Sequence, residues 1–236
     1  MWLSPGVRSR ARHPVLYLND GQNLFDPSRA FAGVSWSVAE TAAALVEHGL
    51  IPPLVIVGID HGELQRAREY LPVEDARNPY ARRPLARKYA EFVTAELMPR
   101  IERMFPVSRG ASRTGFGGSS YGAIAALYTA MRHPGVFGRL LIESPSLYVG
   151  NGRLLRDART ITQWPQRMFL GVGTEETQRR DWNDETVSNV MKLEGVLRGK
   201  GLGPRRLRVV VEAGARHSEE AWARRLPDAL RFLFGS

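Results

Sequence analysis

The chain has 236 residues, 43% of them hydrophobic, with 33 basic against 24 acidic residues, a net charge of +9 and a pI near 10.4. That size suits a single α/β domain over residues 1–236. The absence of cysteine excludes disulfides, thiolate metal sites and a cysteine nucleophile, and no run of roughly 18 or more apolar residues offers a membrane span.

The basic excess is almost entirely arginine, since lysine occurs only at Lys88, Lys192 and Lys200. It is scattered and carries no aromatic-interleaved stripe, which argues against nucleic-acid binding and for a mild attraction to anionic substrates. The first residues are basic but lead into no apolar segment, so no signal peptide is expected and the cytoplasm is the expected compartment.

In chain order, apolar runs predict strands near 15–19, 54–60, 113–117, 139–143, 167–172 and 207–211. Helical patterning falls between them near 36–48, 86–104, 121–132, 184–199 and 219–234. Such alternation predicts a mostly parallel central sheet flanked by helices. Pro99 should kink or split the helix over 86–104 near Leu97. The strand near 54–60 leads into the longest irregular stretch, His61–Pro84, which carries Arg66, Arg68, Glu69, Tyr70, Arg77, Arg82 and Arg83. It is the expected substrate-shaping loop, with His61 at the active edge of the sheet. Nothing between strands leaves room for a separate lid domain.

The segment Gly118-Ser-Ser-Tyr-Gly122 reads G-x-S-x-G, with a strand-like run before it and a helical run after it. In a strand–elbow–helix, that pattern thrusts the serine hydroxyl, here Ser120, above the sheet beside a helix N-terminus. A serine nucleophile needs a base and an orienting acid. Of the five histidines, only His217 follows the last strand, through the glycine-containing turn Glu212–Arg216, and precedes the last helix. His48 and His133 sit near helix ends and read as caps; His13 precedes a proline beside the first strand. The acid should follow the penultimate strand, where Glu175 and Glu176 stand together; Asp181 and Asp184 come later, at the start of the next helix. Two backbone donors should face the reacting oxygen. One is the N–H of Tyr121, and the other comes from Gly21 or Gln22 in the loop Asn19–Asp26.

These stretches together resemble a known family. PVLYLNDGQNLFD, VGIDHGELQRAREYLP, GGSSYGAIAALYTAMRHPGVFG, ESPSLY, GVGTEE and GARHSEEAWARRLPDALRFLF are similar, in content and order, to the putative-esterase family of α/β-hydrolases. That family is similar to enterochelin-type siderophore esterases, feruloyl and acetylxylan esterases, S-formylglutathione hydrolase and the antigen 85 mycolyltransferases. The resemblance implies an α/β-hydrolase fold and a serine carboxylesterase needing no metal or cofactor. Its substrates would be short-chain, aromatic (feruloyl-like) or siderophore-type esters. An acyltransferase with the same triad and a non-catalytic binding module on the same fold are the alternatives. The resemblance selects Glu176, the fourth residue of a G-T-x-[DE] stretch, as the acid, and Gln22 as the second oxyanion donor. It also points to Arg66 and to Trp36, a tryptophan that suits a pocket wall and the core equally; Tyr148 and, from its place after the strand, His61 are further candidate pocket residues. Family members carry a β-hairpin before the first long strand. Here only Met1–Gly6 precedes the basic turn Val7–His13, so either the start is truncated or the fold lacks two edge strands. A bare edge invites pairing with a second copy of the chain, unless the arginines of 8–12 act as a charged block.

Overall fold

A computed structural model describes residues 1–8 and 11–235. Two of the residues in the basic turn 8–12, Ser9 and Arg10, lie outside them, so the expected charged block is only partly described. The strands are β1 (Trp2–Leu3), β2 (Val15–Asn19), β3 (Val55–Ile59), β4 (Thr114–Ser119), β5 (Arg139–Glu143), β6 (Arg167–Glu175) and β7 (Leu207–Arg216). The helices are α1 (Val38–Glu47), α2 (Arg66–Tyr70), α3 (Ala86–Glu91), α4 (Met98–Met104), α5 (Ser120–Arg132), α6 (Val149–Ala158), α7 (Arg180–Gly199) and α8 (Glu219–Phe234).

The strands form one sheet in the order β1-β3-β2-β4-β5-β6-β7. All neighbours are parallel except β1, which runs antiparallel to β3 with Trp2 opposite Ile56 and Leu3 opposite Val55. The two-residue β1 corrects the expectation of an edge bare of pairing. Its short ladder covers β3 only at Val55 and Ile56.

Period-two alternation divides the core. Val15, Tyr17, Val55, Val57 and Phe116 face one layer, packed with residues of α2 to α7. Leu16, Leu18, Leu54, Ile56, Leu141 and Phe169 face the other, under α1 and α8. Both faces are therefore covered, as a parallel sheet requires. Pro99 has no N–H to give the helix, and the chain absorbs this upstream in a wide π-helical segment, Phe92–Leu97, between α3 and α4. The predicted kink is thus a widened turn rather than a break.

Two further departures bear on function. Glu212–Arg216 is not a turn: β7 continues to Arg216, pairing with an extended β6 past an irregularity between Gly173 and Glu175. His217 consequently starts directly from the strand end. The stretch His61–Pro84 contains α2, whose side chains reach under the loop after β2. That loop and the start of α5 lie at the carboxyl ends of neighbouring strands β2 and β4, where the chain's winding direction changes. Open α/β sheets bind ligands at such a point.

Candidate active site

At Ser120 the backbone changes from strand to helix within one residue, with φ at 55°. That left-handed conformation is strained for a non-glycine residue. The turn closes because both flanking glycines lack side chains. A Cβ on Gly118 would lie 2.9 Å from the Gly122 carbonyl carbon, and one on Gly122 would lie 2.8 Å from an Asp20 carboxylate oxygen. Ser120 also opens α5, whose first N–H groups have no acceptor inside the helix.

Glu176 and His217 meet at the ends of β6 and β7. The Glu176 carboxylate accepts from His217 Nδ1 at 2.5 Å with one oxygen. The other accepts from Ser144 Oγ at 2.7 Å and from the Gly173 N–H at 2.6 Å. Trp222 Nε1 donates to Ser144 Oγ at 2.9 Å, and its ring packs edge-on against His217. Glu176 is 5% exposed. Burial pushes its carboxyl pKa up, but the bonds from His217, Ser144 and Gly173 outweigh burial and hold it below the usual range. Glu175, by contrast, is exposed at the last rung of β6, opposite Arg216. Asp181 is exposed and paired with Arg179, and Asp184 is also exposed.

A buried charge cluster lies beneath this pair. Arg225 of α8 donates to Glu143 at 2.9 and 2.8 Å and to Glu212 at 2.6 Å. Burial pushes the Glu143 carboxyl up to about 7, against the pull of Arg225.

The loop after β2 is held from several sides. Asp20 adopts φ 57° and precedes a 3₁₀ turn, Gly21–Asn23. Its carboxylate accepts from Arg66 Nε at 2.6 Å and Nη2 at 2.8 Å, and its N–H donates to Tyr70 Oη at 3.1 Å. Asn19 Nδ2 donates to the Gly122 carbonyl at 2.7 Å, tying this loop to α5. The Gln22 amide exchanges bonds with the His61 backbone at 3.1 and 3.2 Å. The N–H of Gln22 lies in the first turn of the 3₁₀ segment, where it has no acceptor three residues back within that turn.

Ser120, Glu176 and His217 line one cavity of about 260 Å³, together with Tyr121, Ser144, Ser146, Tyr148, Thr177, Trp182, Thr186 and Arg77. Ser120 Oγ lies 3.4 Å from Ser146 Oγ, and no hydrogen bond joins it to His217 among the described residues. Of the expected pocket residues, Tyr148 is in this wall. Trp36 is not: it is 2% exposed and packs against Trp222 in the core. His61 lines a separate apolar cleft beside Tyr89 and Phe92. Arg66 is committed to Asp20, which holds its guanidinium well above the usual range against burial. Sequence reading missed Ser144, Ser146, Trp182 and Asp75. The last is buried and accepts from Tyr121 Oη at 2.5 Å and Tyr148 Oη at 3.3 Å. The ESPSLY stretch and the D-x-R spacing near Arg77 were the available signals. Among the described residues, no cluster of three or more His, Asp or Glu side chains is placed to share a metal ion.

The family model described as "Putative esterase" matches residues 3–233. The chain belongs to the putative-esterase family. Within the α/β-hydrolases, this membership assigns it carboxylic-ester hydrolysis. Among its relatives, an iron(III) enterobactin esterase of Dickeya dadantii is 34% identical over 184 residues, 76% of this chain and 36% of that protein. The uncharacterised protein YbbA of Bacillus subtilis is 22% identical over 94% of this chain and 86% of its own length. In fold, the chain is similar to siderophore hydrolase EstB of Aspergillus nidulans, with a TM-score of 0.75, 17% identity and coverage of 99% and 88% of the two chains. It is also similar to an enterochelin esterase of Shigella flexneri, with a TM-score of 0.74 and 22% identity over 98% of this chain and 53% of that one. The putative-esterase chain thus spans about a third of the Dickeya protein and about half of the Shigella one.

Proposed function

We propose that this esterase works through a Ser120–His217–Glu176 triad and an acyl-enzyme. The observation that carries the reading is the buried Glu176 carboxylate on His217 Nδ1, in the same cavity as a serine held at a strained elbow. Glu176 fixes the tautomer with the proton on Nδ1, leaving Nε2 free as a base. His217 takes the Ser120 proton as Oγ attacks the ester carbonyl. The N–H groups of Tyr121 and Gln22 hold the oxyanion, and His217 then protonates the departing alcohol. Water, deprotonated by His217, releases the acid and restores Ser120. The step requires Ser120 Oγ, which here faces Ser146 Oγ, to turn toward His217 when substrate binds.

The substrate class is an ester with a short or aromatic acyl part, or a siderophore-type ester. Support comes from the small cavity and from the enterobactin esterase and siderophore hydrolase relatives. A panel of short-chain, aromatic and lactone esters, assayed with wild type and Ser120→Ala in the presence of EDTA, tests this. Hydrolysis of at least one class by wild type and none by the variant is expected. Equal rates in the two proteins contradict the triad. Added acceptor alcohols that raise substrate turnover and yield new esters would favour acyl transfer over hydrolysis.

A further inference from the structure

We infer that Arg77 is a receptor for a substrate carboxylate, placed a few carbons from the reacting carbonyl. This deepens the esterase reading and rests on it. Arg77 lines the Ser120 cavity although it comes from the loop after β3, far in sequence from the elbow. Two aromatic rings pack on its guanidinium: Cζ lies 4.2 Å from the Tyr148 ring centroid and 4.8 Å from that of Trp182. Arg179 also packs on Trp182, at 4.5 Å. The aromatic contacts restrict the planar Arg77 group and so reduce the entropy lost on binding.

These contacts bear on what Arg77 can bind. Two rings already pack on the guanidinium, and its N–H edge remains for a ligand. Nη2 donates to Glu185 at 3.1 Å, while Nε and Nη1 have no acceptor among the described residues. The complement of a guanidinium edge is a planar carboxylate. The Glu185 pair is a half-exposed one, with side chains 39% and 39% exposed, and such pairs yield readily to a competing anion. The surroundings agree. Asp75 is already engaged by Tyr121, Tyr148 and the Arg77 N–H, and Glu74 accepts from the Arg83 N–H. An adjoining cavity of about 660 Å³ shares Arg77 and Tyr148, and Arg156, Arg159 and Lys192 also line it.

The substrate class that fits is a hemi-ester of a short dicarboxylic acid. Its hydrolysis breaks the acyl C–O bond; water supplies the hydroxyl of the new acid and the proton of the released alcohol. Monoethyl glutarate and ethyl pentanoate, compared in a pH-stat, report the preference as a ratio of kcat/KM. Wild type should favour the hemi-ester. In Arg77→Gln the ratio should fall by about 10-fold or more, the loss expected for a hydrogen bond between charged groups. Glu185→Gln, which removes the competing carboxylate, should raise it. No preference in wild type, or an unchanged ratio in Arg77→Gln, overturns the proposal. So does an equal fall in both variants, which would mean the ion pair only props the wall. Calorimetric titration with glutarate separates this proposal from the esterase reading. Binding that Arg77→Gln weakens, in a protein that hydrolyses neither ester, keeps the carboxylate site and removes the esterase; hydrolysis without glutarate binding does the reverse.

Discussion

On one side of Ser120, Glu176 and His217 extend from the ends of adjacent strands, and their positions follow from the register of β6 against β7. On the other side, the wall of Arg77, Tyr148 and Trp182 is assembled from a loop, a helix entrance and the first turn of α7. On the strand side the acid is buried, with Glu176 held by three donors. The loop side is half-exposed and held by stacking and long-range contacts, such as Tyr148 to Asp75 across 73 residues and Arg77 to Glu185 across 108. On the proposed mechanism, the acid and base are anchored to the sheet, and the proposed carboxylate receptor sits on the half-exposed loop wall.

Breaking the strand side should have the largest effect. Glu176→Gln should lower kcat by about 10³- to 10⁴-fold, as removal of a tautomer-fixing acid does elsewhere, while Glu175→Gln at the exposed strand end should change it little. Steady-state kinetics on both variants checks the assignment, and comparable losses in the two would reject it.

Beneath that side, Arg225→Met should cost about 3–5 kcal/mol of stability, because it strands the buried Glu143 carboxyl. Its side chain is 4% exposed and that of Glu143 1%. Burial raises the folded pKa of Glu143, so this group's contribution weakens as pH rises above the unfolded carboxyl value. Loss of Arg225 should carry that fall to higher pH, which denaturant titrations across a pH series would show.

The loop side should respond more mildly. Asp75→Ala frees Tyr121 and Tyr148 together, and Tyr121 carries the N–H next to Ser120. A fall in kcat of about 10- to 100-fold is expected from a displaced donor, with an unchanged circular dichroism spectrum. A wild-type kcat would show that Asp75 does not position the donor.

The smallest effect concerns pH. The folded pKa of Glu176 is held below its unfolded value, so its ionised form stabilises the fold above about pH 4.3. That contribution should fade as pH falls through the folded value. Wild type and Glu176→Gln should therefore converge in stability toward acid pH, and a constant gap would count against the shift.

The difference between the two sides also explains what the sequence could reveal. Ser120, Glu176 and His217 each follow an apolar run that predicts a strand, so their order along the chain already places them at one edge of the sheet. Trp36 was ambiguous because a tryptophan after a loop suits a pocket or a core equally, and only its packing on Trp222 decides. Arg66 was read as a pocket cation because its partner, Asp20, lies 46 residues away. Ser144, Asp75 and Trp182 gave no periodic signal, since their roles arise from contacts between distant loops. The extension of β7 through Gly214 was hidden by a glycine that normally marks a turn.

The central claim, that Ser120 is the nucleophile, is tested most directly by covalent trapping. A reactive organophosphonate ester is attacked by an activated serine and leaves a stable adduct. Intact-mass spectrometry of the treated wild-type protein should show one adduct, mapped by peptide sequencing to Ser120 and absent from both Ser120→Ala and His217→Ala. An unlabelled wild type that still hydrolyses esters, or an adduct on another residue, would contradict the account.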